Sequence, residues 1–144
     1  MASITQSTIP NNFFGKYKLF TSENFDNFLK EIGIGLLKRK LANSTYPTVE
    51  FLQDANNDEL IYKSHTIIKT SETKFKLGQE FDEDRLDGKR VKSVIEFADG
   101  NKFIQTQRDG DLEIKYIREF NGDEIKVTSI ANDVKSLRIY KRIE

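Results

Sequence analysis

Two arginines raise the first chemical question. In the run "LEIKYIREF", extended backbone puts Ile114, Tyr116, Arg118 and Phe120 on one face and Lys115, Ile117 and Glu119 on the other, since side chains alternate with period two. The first face is the more apolar and aromatic, so alternation turns Arg118 inward. A guanidinium inside a protein is costly unless an anion or water meets it. It keeps its charge at any relevant pH and offers planar, forked donors that match a carboxylate. The last strand-like run, "VKSLRIYKR", raises the same question and leaves it open. Val134, Ser136, Arg138, Tyr140 and Arg142 share one face; Leu137 and Ile139 share the other with Lys135 and Lys141.

Other chemistries are excluded or weak. The sequence has no cysteine and one histidine, His65, which rules out thiolate catalysis, Cys-type zinc sites and a multi-histidine metal site. "DANNDE" and "DEDRLDG" lack the glycine and closing glutamate of a calcium loop in register, and read as turns. Gly33-Ile34-Gly35 follows a helix-like run and lacks a third glycine, so it is no dinucleotide fingerprint. Asn43-Ser44-Thr45 is a glycosylation sequon, meaningful only in a secreted protein. No metal or cofactor is expected.

The chain has 144 residues, enough for one domain with a sizeable core. Its 23 basic residues balance 23 acidic ones, against the basic excess of a nucleic-acid binder. No window approaches the roughly 18 apolar residues of a membrane span, and "MASITQSTIPNN" has no signal-like apolar run. A cytoplasmic protein with a flexible N-terminal extension over residues 1–12 is expected, ahead of one domain over 13–144.

The elements that must position the arginines are mostly strands. Asp87-Gly88, Asp99-Gly100, Asp109-Gly110, Asn121-Gly122 and Asn132-Asp133 recur at ten- to twelve-residue intervals, the rhythm of tight hairpin turns in an antiparallel meander. Between and before them lie "FFGKYKLFT", "YPTVEFLQ", "ELIYKSHTI", "TKFKLGQEF", "RVKSVIEFA", "KFIQTQR", "LEIKYIREF", "EIKVTSIA" and "VKSLRIYKR". Nine or ten strands in meander order close most readily into a barrel, which removes exposed edges. One segment differs. Phe25, Phe28, Leu29 and Ile32 follow helical spacing, with Ser22 or Asn24 as a candidate cap, and after Gly33 and Gly35 a second short helix can present Leu36, Leu37 and Leu41. Helices this short need an apolar support, and capping one end of a barrel supplies it.

Three ordered motifs carry a family resemblance over about residues 14–144. "GKYKLFTSENFDNFL" is similar to the N-terminal signature of the intracellular lipid-binding (fatty-acid-binding) proteins, with Gly15 and Tyr17 opening the first strand and Asn24-Phe25-Asp26 the lid helix. "FKLGQEFDEDRLDGKRVKSV" resembles the family's middle run, and Arg138-Ile139-Tyr140 its closing Arg-x-Tyr. The wording of "KRVKSVIE" and "IREFNGDE" is most similar to the mite allergens of that family.

The resemblance implies an all-β fold: a ten-stranded antiparallel up-and-down β-barrel (β-clam) capped by a helix-turn-helix lid at about 23–43. It implies a non-enzymatic, monomeric intracellular carrier of long-chain fatty acids or related carboxylates, held by Arg118, Arg138 and Tyr140 turned into the cavity. Phe25, Leu29, Pro47, Ile68, Leu86, Asp87 and Val127 would line the cavity or its entrance. Ile68 stands where the family commonly has phenylalanine and Leu86 where a small residue is usual, so portal width and ligand preference do not carry over. Lys38, Arg39 and Lys40 form a basic stretch on the second helix that suits transient contact with anionic membranes. The alternatives are a barrel enzyme acting on a lipid-like substrate and a secreted lipocalin-type carrier, Gly15-Lys16-Tyr17 being loosely similar to the lipocalin opening motif.

Overall fold

A computed structural model describes residues 9–56, 58–67 and 69–144. Two short helices, α1 (Phe25–Glu31) and α2 (Leu36–Asn43), follow the first strand, β1 (Gly15–Glu23). Nine further strands then run in order: β2 (Thr48–Asp54), β3 (Glu59–His65), β4 (Thr70–Phe75), β5 (Phe81–Asp84), β6 (Arg90–Ala98), β7 (Lys102–Asp109), β8 (Leu112–Asn121), β9 (Glu124–Ala131) and β10 (Val134–Arg142). Among the described residues these ten form a single antiparallel sheet, in the order β4-β3-β2-β1-β10-β9-β8-β7-β6-β5. The sheet is a nearly closed barrel: β1 pairs with β10, and the two ends of the order, β4 and β5, share no backbone ladder among the described residues.

The expected hairpin rhythm is present. At Asp99-Gly100 both residues have positive φ, 57° and 78°, the combination a tight turn between right-twisted strands requires. "TKFKLGQEF" is two strands, not one. β4 ends at Phe75, Gly78 turns the chain at φ 76°, and β5 starts at Phe81, which brings the number to ten.

The closed end of the barrel is an aromatic plug. Phe13 stacks on Phe120 with centroids 4.6 Å apart, Phe51 lies 5.1 Å from Phe103, and Tyr17 is fully buried beside them. This core reaches further back than a boundary at Phe13: Ile9 is buried within it, and Asn11–Phe13 form a single 3-10 turn. Ile9 thus has apolar neighbours in the core, Pro10 is half-buried, and Asn11 and Asn12 are exposed; residues 1–8 lie outside the described residues.

Arg142 ties this end together. It donates to Asp123 Oδ1 at 3.1 Å, to the carbonyls of Phe14 (3.1 Å) and Asn12, and to the Tyr17 hydroxyl at 2.5 Å, while that hydroxyl donates to Phe13 O at 2.8 Å. The same crowding explains Gly15. Its φ is +145°, and a Cβ there would lie 2.5 Å from Glu144 O and against the Arg142 guanidinium.

The lid sits at the other end. Phe28, Leu29, Ile32 and Ile34 pack on Ile114 and Ala131, as the helical spacing of α1 requires. Two expectations for the lid are corrected. Asn24 stands at the start of α1 but does not cap it: its amide donates to Lys135 O at 2.9 Å, pinning the helix to β10. Leu36, Leu37 and Leu41 form no buried face, being 58%, 83% and 47% exposed. α2 is held by polar contacts instead, with Arg39 donating to Asp26 Oδ1 (3.1 Å) and Ile34 O (2.7 Å), and Asn43 to Asp26 Oδ1 (3.1 Å).

Arg142→Ala is expected to lower the unfolding free energy by about 3 kcal/mol, since several hydrogen bonds of a charged donor are lost together. Urea titration should show a lower midpoint at unchanged slope.

Candidate functional site

Strand register places the two arginines. Arg118 on β8 and Arg138 on β10 are both cross-strand neighbours of Val127 on β9, so the three form one row across the barrel wall. Two inter-strand spacings separate the arginine backbones by about 10 Å, within reach of two long side chains converging on one group. β8 turns Ile114, Tyr116, Arg118 and Phe120 inward. β10 buries Ser136, Arg138 and Tyr140, and leaves Leu137 and Ile139 half-buried on its other face. The orientation that alternation left open is thus inward for Arg138 and Tyr140.

The guanidiniums are held by π faces and one amide. Arg118 lies 4.6 Å from the ring centroid of Tyr62 and 5.6 Å from that of Tyr116, and its Nη1 donates to Gln105 Oε1 at 2.8 Å. Arg138 is 7% exposed and sits 3.9 Å from the Phe25 ring and 5.9 Å from Tyr140. Such contacts support a desolvated cation without neutralising it. Neither guanidinium pairs with a carboxylate among the described residues, and the Nε of each is buried with no hydrogen-bond partner there. The arrangement presents forked donors to a cavity lined by both aromatic rings and polar side chains.

Burial also acts on the phenols. Desolvation pushes Tyr140 up to about 12, against the pull of Arg138 and with a smaller push from Tyr62. Tyr116 is raised to about 12 by the same cause, partly offset by Arg118. Both therefore remain hydrogen-bond donors at neutral pH.

Two cavities share the arginines as lining. One cavity of about 450 Å³ runs from Arg118 and Arg138 to the lid, lined by Phe25, Leu29 and Pro47, with Leu86 at its rim. The other, of about 230 Å³, is bounded by Phe25, Tyr62, Val127 and Tyr140 with the same two arginines. Phe25, Leu29, Pro47, Leu86 and Val127 thus all border cavity space. Asp87 stands in the turn beside Leu86, but its carboxylate is turned to Arg85, accepting from Nε at 3.2 Å and Nη2 at 2.6 Å. Ile68 lies outside the described residues. Lys38 borders the larger cavity and Lys40 is exposed, whereas Arg39 is taken up by Asp26 and Ile34.

A polar wall faces the arginines that sequence reasoning did not single out. Glu83 Oε1 accepts from Ser93 (2.8 Å), Gln105 (2.6 Å) and Gln107 (2.6 Å), and Oε2 from Thr73 (3.2 Å). The available signal was alternation: Gln105 and Gln107 share a face with Phe103, and Glu83 with Phe81. His65 contacts Thr70 (3.2 Å) and Glu50 (3.4 Å), but Val49, Ser64 and Ser71 on the same strands face the cavity, so the His65 group lies on the outer face. Among the described residues no group of three or more His, Cys, Asp or Glu is arranged to hold a metal ion, and no helix is long and apolar enough to cross a membrane.

A ten-stranded antiparallel barrel with a helical lid over an internal cavity is the architecture of a binding protein. The sequence profile of the Lipocalin / cytosolic fatty-acid binding protein family matches residues 14–143, and the chain belongs to that family. It is 51% identical over 131 residues to a fatty acid-binding protein of Lepidoglyphus destructor (91% of this chain, 98% of that one). It is 46% identical over 128 residues to a fatty acid-binding protein of Tyrophagus putrescentiae (89% and 95%). Among solved structures, the Schistosoma mansoni fatty acid binding protein in complex with arachidonic acid superposes with a TM-score of 0.87 at 37% identity, covering 93% of this chain and 98% of that one.

The raised phenols make stability fall at high pH. An unfolded chain releases tyrosine protons near 10.0, whereas the folded protein holds those of Tyr116 and Tyr140 until about 12, so unfolding becomes easier as pH rises across that window. Denaturation measured at several pH values in this range should show the decline, and Tyr140→Phe should make it shallower.

Proposed function

We propose that the protein is a non-enzymatic carrier of long-chain fatty acids or related hydrophobic carboxylates, with the carboxylate held by Arg118, Arg138 and Tyr140. The observation that carries this reading is the pair of inward guanidiniums on one row, flanked by aromatic rings and without a carboxylate partner among the described residues. A bound carboxylate supplies the missing charge and accepts from forked donors, with the Tyr140 phenol as a further donor. The relatives named as fatty acid-binding proteins, and the similar structure holding arachidonic acid, support the same ligand class.

The division of labour follows from magnitudes. Burying a tail of ~16 carbons yields a gross term near 12 kcal/mol at about 0.8 kcal/mol per methylene, before chain ordering and desolvation are subtracted. The tail provides most of the affinity; the arginines fix which end goes in first. Arg138→Gln is expected to weaken binding of a fatty acid more than binding of the alcohol of the same length. Equal losses for acid and alcohol, measured by calorimetry, would remove the anchor assignment.

The lid is the natural point of transfer. Leu36, Leu37 and Leu41 are exposed on α2, with Lys38 and Lys40 between them, so one short helix offers apolar and cationic groups together to an anionic membrane surface. Arg39 is excluded from this role by its contacts with Asp26 and Ile34. Reversing the charge at Lys38 and Lys40 should slow ligand transfer to anionic vesicles at low salt and leave transfer to neutral vesicles unchanged. An unchanged rate to anionic vesicles would count against the contact.

A further inference from the structure

Glu83, Arg118 and Arg138 border both cavities, so the interior holds one anion beside two cations. All four partners of the Glu83 carboxyl group are neutral: Ser93, Gln105 and Gln107 donate to Oε1, and Thr73 to Oε2. In each of these bonds Glu83 accepts, as an ionised carboxylate does. Its charge is thus solvated by fixed dipoles rather than cancelled by an ion pair. Of the other charged groups bordering the larger cavity, Lys38, Lys69 and Asp84 are exposed to solvent, and Arg85 is paired with Asp87 and Asp109. Tyr116 and Tyr140 keep their protons at neutral pH and add no charge. The interior therefore carries a net charge of one positive unit.

Glu83 is close enough to the arginines to matter. Gln105 accepts from Arg118 Nη1 at 2.8 Å and donates to Glu83 Oε1 at 2.6 Å, so one amide separates the two ions. With the width of an amide group between those bonds, Oε1 and Nη1 are at most about 8 Å apart. Charges at that range interact strongly in a protein interior, and an unmatched buried charge is costly. One negative charge on a ligand leaves the interior neutral. A second has no counterpart.

We propose that Glu83 sets the charge of the head group the cavity accepts: it offsets one of the two guanidiniums, so that a monoanion is favoured over a dianion of the same shape. The proposal rests on the carrier reading above, in which the head group lies at Arg118 and Arg138. Glu83 acts on that group through its field, without touching it. A purely structural role, holding Gln105 in place for Arg118, makes the opposite prediction for its removal: both kinds of anion would bind more weakly and to the same degree.

The probes are hexadecyl sulfate and hexadecyl phosphate, which share a tail and a tetrahedral head. At about pH 8 the sulfate carries one charge and the phosphate, whose second ionisation lies near pH ~6, carries two. Both are titrated calorimetrically into the full chain and its Glu83→Gln variant. Glutamine suits the site, since its Oε1 can keep three donors while its NH2 donates to the Thr73 hydroxyl, which can also accept. The wild type is expected to bind the sulfate several-fold more tightly than the phosphate. In Glu83→Gln the sulfate should gain roughly tenfold and the phosphate roughly a hundredfold, because removing one charge about 10 Å away acts once on the monoanion and twice on the dianion. A sulfate-to-phosphate ratio unchanged within about twofold in Glu83→Gln, or a wild type that binds the phosphate as tightly as the sulfate, overturns the assignment. If Glu83→Gln does not fold, the wild-type pair decides alone. If neither probe nor hexadecanoic acid binds the wild type, the carrier reading itself has failed, an outcome recognisably different from binding without charge preference.

Discussion

The pairing of β1 with β10 is the interaction on which everything else depends. Tyr17 faces Arg142, Leu19 faces Tyr140 and Ser22 faces Arg138, so the first and last strands close the meander. Closure turns a period-two sequence into an inside and an outside, and without it β10 would be an edge strand with Arg138 free to meet water. The pairing is not uniform. The register shifts between Leu19 and Thr21, leaving Phe20 outside, where Lys141 Nζ sits 3.7 Å from its ring centroid. A bulge at this point bends β1 toward the lid while the strands below it stay in register with the aromatic plug.

Inside, charge is organised by height along the barrel. Apolar rings occupy the plugged end, the two guanidiniums share one level above it, and the acceptors of Glu83 and Gln107 lie toward the lid. Gln105 links the last two groups, giving its carbonyl to Arg118 and its amide to Glu83. That bridge joins Arg118 to Glu83 through one amide, with no direct ion pair between them among the described residues. Arg85 shows the contrast. It pairs with Asp87 and with Asp109 at 3.1 Å and so serves the β5–β6 turn rather than a ligand.

Much of this was legible in the sequence, for identifiable reasons. Turn residues with positive φ announced the meander, and α1 was plain because Phe28, Leu29 and Ile32 repeat at helical spacing. Arg118 could be turned inward from its own strand, since its face was visibly the apolar one. Arg138 could not, because Leu137 and Ile139 compete with it in the same strand and only the barrel's closure decides between them. α2 misled for a related reason: its leucines follow a helical face, but burial depends on what lies opposite, and polar contacts from Arg39 and Asn43 hold the helix instead. The Glu83 wall stayed hidden because each member is an ordinary polar residue until four strands are brought together.

The missing ladder between β4 and β5 has a mechanical consequence. Topologically the sheet is a ribbon whose ends meet, not a ring. Across the seam, the Thr73–Glu83 hydrogen bond and the Phe75–Phe81 stacking, 6.2 Å between centroids, are side-chain contacts. Widening the barrel anywhere else would break a row of backbone hydrogen bonds cooperatively. At the seam the circumference can grow at the cost of one hydroxyl bond and a sliding ring contact, on the order of 1–2 kcal/mol. The seam is therefore the one line of the wall that side-chain contacts hold without a backbone ladder among the described residues, while nine strand pairings hold the rest.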